Sequence, residues 1–182
     1  VRIIAGEWRG RRLEAPPGEE TRPTLDRVRQ ALFDRLMHAP WAGREAIEGA
    51  TVLDAFAGTG ALGLEALSRG AAQAVFIERD RTALAALRTN VAACRAEARC
   101  RVIAGDALRP LPGSPCSVVF LDPPYGLGLA QPAVAALRAA SWIAPGALLL
   151  LEISREETAP ALGEEVASFT AGVATVLAFR AV

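Results

Sequence analysis

Short apolar runs alternate with stretches of helical periodicity along most of the chain. Val52-Leu53, Ala74 to Ile77, Val118 to Leu121 and Ala147 to Ile153 read as buried strands, and a further strand is expected over about 100–104. Between them, Leu62, Leu64, Ala66 and Leu67 repeat at helical spacing up to Gly70. Asp80 heads a second helical stretch to Cys94, and a third covers about 130–140. A Pro/Gly/Ser-rich loop is expected at 110–117, and Pro145-Gly146 should turn into the fifth strand. A short helix near 157–162 and two strands, about 165–171 and 174–180, close the pattern. Alternating strand and helix predicts a mostly parallel sheet with right-handed crossovers. The last two strands have no helix between them, so one should run antiparallel. The expected architecture is a Rossmann-like α/β fold: seven strands with helices on both faces.

The opening follows a different pattern. Residues 1–14 read as two short strands around Gly6-Glu7-Trp8-Arg9-Gly10, and 15–23 as a loop. Thr24 is the expected N-cap of a helix to about Met37, with Leu25, Val28, Leu32, Phe33 and Leu36 on its apolar face. Residues 1–44 are therefore expected as a hairpin-and-helix extension that contacts RNA, and 45–182 as the catalytic domain.

Composition narrows the setting. At 182 residues and 52% apolar, the chain can bury a full core in one domain. No apolar run approaches the roughly 20 residues of a membrane span, and no signal-peptide pattern opens the chain. A soluble, cytoplasmic, monomeric protein with no membrane partner is expected. Cys94, Cys100 and Cys116 lack metal-ligand spacing, so no metal is expected. Net charge is zero, and all 20 basic residues are arginine. Arg2, Arg9, Arg11 and Arg12 against Glu7 nevertheless make the first twelve residues locally basic. With Trp8 they suit phosphate contact and base stacking. The competing reading is a solvated hairpin with Trp8 packed on the domain.

The chemistry concentrates at strand ends. Gly58, Gly60 and Gly63 have the G-x-G-x-x-G spacing of a nucleotide-binding turn, and Glu78 follows at the expected distance. Asp54, inside that turn, suits an amino-acid ammonium better than a pyrophosphate. Asp54, Glu78, Asp106 and Asp122 stand at four successive strand ends, where open parallel sheets bind ligands. Each has a use if the ligand is S-adenosylmethionine: Asp54 for the amino-acid part, Glu78 for the ribose hydroxyls, Asp106 and the Ala107 N–H for the adenine. Phe56, Ala57 and Arg79 flank these positions. Asp122-Pro123-Pro124-Tyr125 is a rigid turn after an apolar strand. Its Asp122 carboxylate and Pro123 carbonyl can accept both hydrogens of an exocyclic amine, and Tyr125 offers a ring for stacking. The glycine turn and this second turn together resemble those of S-adenosylmethionine-dependent amino-methyltransferases. His38, the one histidine, ends the first helix and is expected at the surface or as a cap.

Arg2-Ile3-Ile4-Ala5-Gly6-Glu7-Trp8-Arg9-Gly10-Arg11 and Thr21-Arg22-Pro23-Thr24-Leu25-Asp26-Arg27-Val28-Arg29 resemble the bacterial 16S rRNA guanine-N2 methyltransferases of the RsmD family. So do Asp54 to Gly63 and Phe120 to Tyr125. The resemblance runs from residue 1 to about 153. It implies methylation of a guanine amine in 16S rRNA, met within a small ribosomal subunit or an assembly intermediate, with S-adenosylhomocysteine as the product. Cofactor positions carried over are Asp54, Gly58, Gly60, Glu78, Asp106 and Ala107, with Thr24 a lesser candidate. The catalytic turn carries over to Asp122 and Pro123, with Tyr125 holding the base, and Arg9, Arg11 and Arg12 would meet rRNA phosphate.

The turn by itself leaves the base open, because Asp-Pro-Pro-Tyr serves adenine N6 and cytosine N4 as well as guanine N2. An NAD-dependent oxidoreductase built on Gly58, Gly60, Gly63 and Glu78 is a further alternative, but it gives Asp122 to Tyr125 nothing to do. A catalytically silent RNA-binding protein is a third, and cofactor binding would exclude it.

Overall fold

In the computed structural model, residues 1–16 and 23–182 are described, and side chains within the first helix from Leu25 onward. Most of the loop expected at 15–23, including Arg22, and the side chain of Thr24 lie outside the described residues. The helix α1 spans Pro23–His38. It begins at a proline, whose fixed φ suits a first helical turn. Thr24 is thus inside the helix and not its N-cap.

Five parallel strands follow: β1 (Thr51–Asp54), β2 (Gln73–Glu78), β3 (Cys100–Ala104), β4 (Cys116–Leu121) and β5 (Ile143–Ser154). Their crossovers carry α2 (Ala61–Ser68), α3 (Arg81–Ala93) and α4 (Ala130–Ala139). β6 (Glu164–Ala171) and β7 (Ala174–Arg180) complete a seven-stranded sheet of order β3-β2-β1-β4-β5-β7-β6. As the missing crossover predicted, β7 runs antiparallel to both its neighbours.

Each central strand is apolar on both faces because both are covered. Val52, Phe76, Val118, Phe120 and Leu148 pack beneath α1, α2 and α3. Leu53, Ile77, Val119, Leu149 and Leu151 pack beneath α4 and Trp142. Asp80 caps α3 through Oδ1, which accepts the Ala83 N–H at 2.8 Å.

Two local expectations are corrected, and the opening hairpin is shorter than a pair of full strands. An antiparallel bridge joins Arg2 to Arg12, and Ile3 N donates to Arg11 O, Gly10 N to Ile3 O and Leu13 N to Val1 O, each at 2.9 Å. Other backbone donors of the hairpin go to side chains of α2: Glu65 accepts from Ile4 N (2.8 Å) and Ala5 N (3.1 Å), and Ser68 Oγ accepts from Trp8 N (3.0 Å). The arm therefore belongs to the core, with Ile3, Trp8 and Leu13 buried among residues of α1 and α2. Residues 157–162 form no helix, since the Glu157 carboxylate takes two backbone N–H groups and Pro160 has none to give. Finally, β5 begins at Ile143 and not after Pro145-Gly146. Its pairing with β4 shifts register between Cys116 and Val118, which absorbs the positive φ of Gly146.

Candidate active site

Strand order reverses between β1 and β4, whose other neighbours are β2 and β5. A cavity of about 700 Å³ opens there, at the carboxyl ends of the strands. Open parallel sheets bind ligands at such a switch point.

The turn after β1 forms one wall. Gly58 takes φ +52°, and a Cβ built on it would meet nothing within 4 Å, so its backbone faces open space. Phe56 and Ala57 line the same wall. Gly60 and Gly63 serve packing: a Cβ on Gly60 would stand 2.3 Å from Leu87 Cδ1, and one on Gly63 2.3 Å from the Phe76 ring. The glycines thus divide, with Gly58 toward the cavity and the other two toward the core. Gly60 is corrected on this point.

Asp54 is also corrected. It is 1% exposed and lies behind the turn, not on the cavity wall. Its Oδ2 accepts the Gly63 N–H at 3.0 Å, near the start of α2, while Oδ1 has no described partner. Burial pushes its pKa up to about 7, against the lowering effect of the Gly63 bond. Asp54 can shape the turn and cannot reach a ligand in this arrangement.

Glu78 does line the cavity, at the end of β2. Oε2 accepts from Gly58 N at 2.7 Å and Oε1 from Asp80 N at 2.8 Å. Each oxygen keeps a further lone pair, so the carboxylate is held still and remains able to accept. Past the end of the neighbouring β3, Asp106 Oδ1 takes the Leu108 N–H at 2.9 Å, and Oδ2 lies 3.7 Å from Arg79 Nη1. Ala107 is buried beside it.

The fourth wall is Asp122-Pro123-Pro124-Tyr125, leaving the end of β4. Asp122 is exposed to the cavity. Burial by the surrounding protein, then the nearby carboxylates of Glu152 and Asp54, hold its pKa well above the usual range. Pro123 O accepts no hydrogen bond from a described residue. Tyr125 donates its hydroxyl to Glu152 Oε1 at 2.5 Å. One carboxylate below the turn, Glu157, ties it down: Oε1 accepts Gly126 N at 2.7 Å and Oε2 accepts Ser154 N at 2.8 Å.

Glu152 and Glu157 were not read from the sequence. The signal for Glu152 was present: an acid close to the end of the fifth apolar strand, matching those at the ends of β2 and β4.

The basic arm is only partly available. Arg2, Arg9, Arg11 and Arg12 are exposed, and Arg11 donates to the Ala93 carbonyl. Trp8 is corrected: it is 6% exposed, with the Arg99 guanidinium 4.7 Å above its ring, and cannot stack on a base. His38 is exposed at the end of α1, as expected.

S-adenosylmethionine fits what this cavity offers. There is open backbone at Gly58, a fixed acceptor at Glu78, and a second acceptor beside apolar Ala107. Fold and cavity together define a Rossmann-like, S-adenosylmethionine-dependent methyltransferase.

The chain belongs to the family described as Conserved hypothetical protein 95, whose pattern matches residues 1–178. This bears out the RsmD resemblance. It is 41% identical over 182 residues to Ribosomal RNA small subunit methyltransferase D of Escherichia coli (strain K12), covering 99% of this chain and 88% of that one. The structure of a putative methyltransferase, yhhF from Escherichia coli, superposes with a TM-score of 0.82 at 40% identity, covering 100% and 97% of the two chains. The fold extends to the T. thermophilus 16S rRNA N2 G1207 methyltransferase, solved with AdoMet and guanosine. That structure has a TM-score of 0.65 at 22% identity, covering 91% of this chain and 45% of that one.

Proposed function

We propose that this chain transfers a methyl group from S-adenosylmethionine to the N2 amine of a guanine in 16S rRNA. The observation that carries the reading is the placement of Asp122 and Pro123 on the wall of the cavity that also holds Glu78, Gly58 and Asp106. The name of the E. coli relative supports small-subunit rRNA as the substrate.

S-adenosylmethionine, when bound, supplies an electrophilic methyl group on a sulfonium. Glu78 would hold the ribose hydroxyls, and Asp106 with the Ala107 N–H the adenine. Asp122 and the Pro123 carbonyl accept the two hydrogens of the target amine. That pairing fixes the direction of the nitrogen lone pair and stabilises the positive charge that grows on nitrogen. The ionised form of Asp122 is the better acceptor and can take up the proton released afterwards. Tyr125, held by Glu152 and 44% exposed, would stack on a base turned out of its helix. Arg2, Arg9 and Arg12 present exposed guanidinium groups suited to rRNA phosphate.

The test is nucleoside mass spectrometry on small subunits, assembly intermediates and free 16S rRNA, each incubated with the protein and S-adenosylmethionine. N2-methylguanosine is the expected product. N6-methyladenosine or N4-methylcytidine would overturn the base assignment, and methylation confined to one of the three substrates would identify the physiological particle.

A further inference from the structure

The Asp-Pro-Pro-Tyr turn accepts an amine and does not tell which base carries it. The edges of the three candidate bases differ beside the amine. Guanine has a second donor, N1–H, next to N2. Adenine has an acceptor, N1, next to N6, and cytosine an acceptor, N3, next to N4. A group that discriminates must lie beside Asp122 and must itself accept.

The sheet puts one there. β4 and β5 are parallel neighbours, with Leu121 paired to Leu151. Asp122 and Glu152 are the next residues on each strand, so their carboxylates emerge side by side at the cavity. Glu152 is aimed by Tyr125, whose hydroxyl donates to Oε1 at 2.5 Å, while Oε2 bonds no described residue. The ring that would stack on the base and the free oxygen are therefore set by one hydrogen bond. Nothing in the methyl-transfer chemistry above uses Glu152.

We propose that Glu152 is the guanine-selecting residue, accepting the N1–H of the target base while Asp122 and Pro123 accept its amine. This rests on the methyltransferase reading above and extends it to recognition. Two carboxylates side by side repel each other, and an edge with N1–H and two N2 hydrogens in a row relieves that repulsion at both. Adenine or cytosine would instead turn a ring nitrogen lone pair toward Glu152, leaving two acceptors face to face.

The experiment uses the full chain and an RNA substrate carrying either guanine or 2-aminopurine at the methylated position. 2-Aminopurine keeps the 2-amine but presents N1 as an acceptor. Wild-type protein should prefer guanine in kcat/KM by about 100-fold or more, as sites built to bond a substrate N–H do. In Glu152→Gln, whose amide can turn to accept or donate, the preference should fall to within about 10-fold. 2-Aminopurine also lacks the guanine O6, and comparing the two enzymes on the two bases isolates the N1 contribution. S-adenosylhomocysteine affinity is measured in parallel and should be unchanged.

Equal methylation of both bases by the wild type overturns the proposal, a result that needs no variant to fold. An unchanged preference in Glu152→Gln overturns it too, as does an equal loss on both bases with cofactor binding intact. A wild type that methylates adenine or cytosine instead would sink the guanine-N2 reading itself, which is a different outcome from any of these.

Discussion

Gly58 donates its backbone N–H to Glu78 Oε2 across 2.7 Å, so the turn after β1 and the end of β2 are joined through one carboxylate. The other oxygen holds Asp80 N, just ahead of α3. The residue proposed to bind ribose thus also holds the glycine turn.

That double duty predicts an amplified effect on cofactor affinity. Glu78→Ala should weaken S-adenosylhomocysteine binding by about 2–4 kcal/mol, more than one lost ligand bond, because Gly58 N also loses its partner. Glu78→Gln, which keeps one acceptor oxygen but replaces the other with a donor, should fall between. Calorimetric titration of the three proteins checks the order. An affinity for Glu78→Ala equal to wild type would remove Glu78 from the binding site.

Asp122 should separate binding from chemistry. Asp122→Ala is expected to bind S-adenosylhomocysteine within about 3-fold of wild type while transfer falls by about 100-fold or more, the usual scale for losing one charge-stabilising group. In the wild type, burial and the Glu152 carboxylate keep Asp122 protonated to higher pH than an ordinary aspartate. If the ionised form accepts the amine as proposed, kcat/KM should rise with pH through a region above the usual carboxylate range, and Glu152→Gln should move that rise to lower pH. A flat profile there would argue that Asp122 works in its neutral form.

Much of this site was legible because β2 and β4 are simple apolar runs that stop at an acid. Glu78 and Asp122 are the first polar residues after Phe76-Ile77 and Phe120-Leu121, so sequence order alone puts them at the cavity. Glu152 was hidden because its strand continues through Ile153 to Ser154, making the acid look internal. Asp54 was assigned the wrong partner because a local pattern shows that a carboxylate ends β1 but not which way it turns; here it turns to Gly63, nine residues on. Trp8 depended on a contact 60 residues distant, with Ser68, and its neighbours Ile4 and Ala5 on Glu65, which no local pattern contains.

Those distant contacts make the arm sensitive to single changes in α2. Glu65 is fully buried, receives Ile4 N, Ala5 N and Arg69 Nε, and lies 3.7 Å from Arg29 Nε. Removing one partner of a buried ionic cluster costs about 3–5 kcal/mol, so Glu65→Ala should destabilise the protein on that scale. Gly6→Ala should cost at least about 2 kcal/mol, since its φ is +83° and a Cβ would sit 1.8 Å from the Ser68 carbonyl oxygen. Urea unfolding measures both. A stability change below about 0.5 kcal/mol in either would mean that the arm contributes little to the fold.

Asp54 predicts an unusual pH dependence of stability. Burial pushes its pKa up to about 7 in the folded chain, from 3.8 for an ordinary aspartate. Between those values the folded chain holds a proton that the unfolded chain has released. Stability from this group therefore falls as pH rises from about 4 to 7, the reverse of the usual paired carboxylate. Asp54→Asn keeps an oxygen for Gly63 N–H, replaces the unpartnered Oδ1 with a neutral amide, and cannot ionise. The variant should gain on the wild type across that window, by about 2–4 kcal/mol at pH 8 relative to pH 4. Taking the difference between the two proteins in urea unfolding at each pH removes the contributions of Glu152 and Glu157 and leaves, besides Asp54 itself, only the part of the Asp122 shift that the Asp54 carboxylate causes. Parallel stability curves would mean that Asp54 titrates normally, and that its buried oxygen has found a partner in solution.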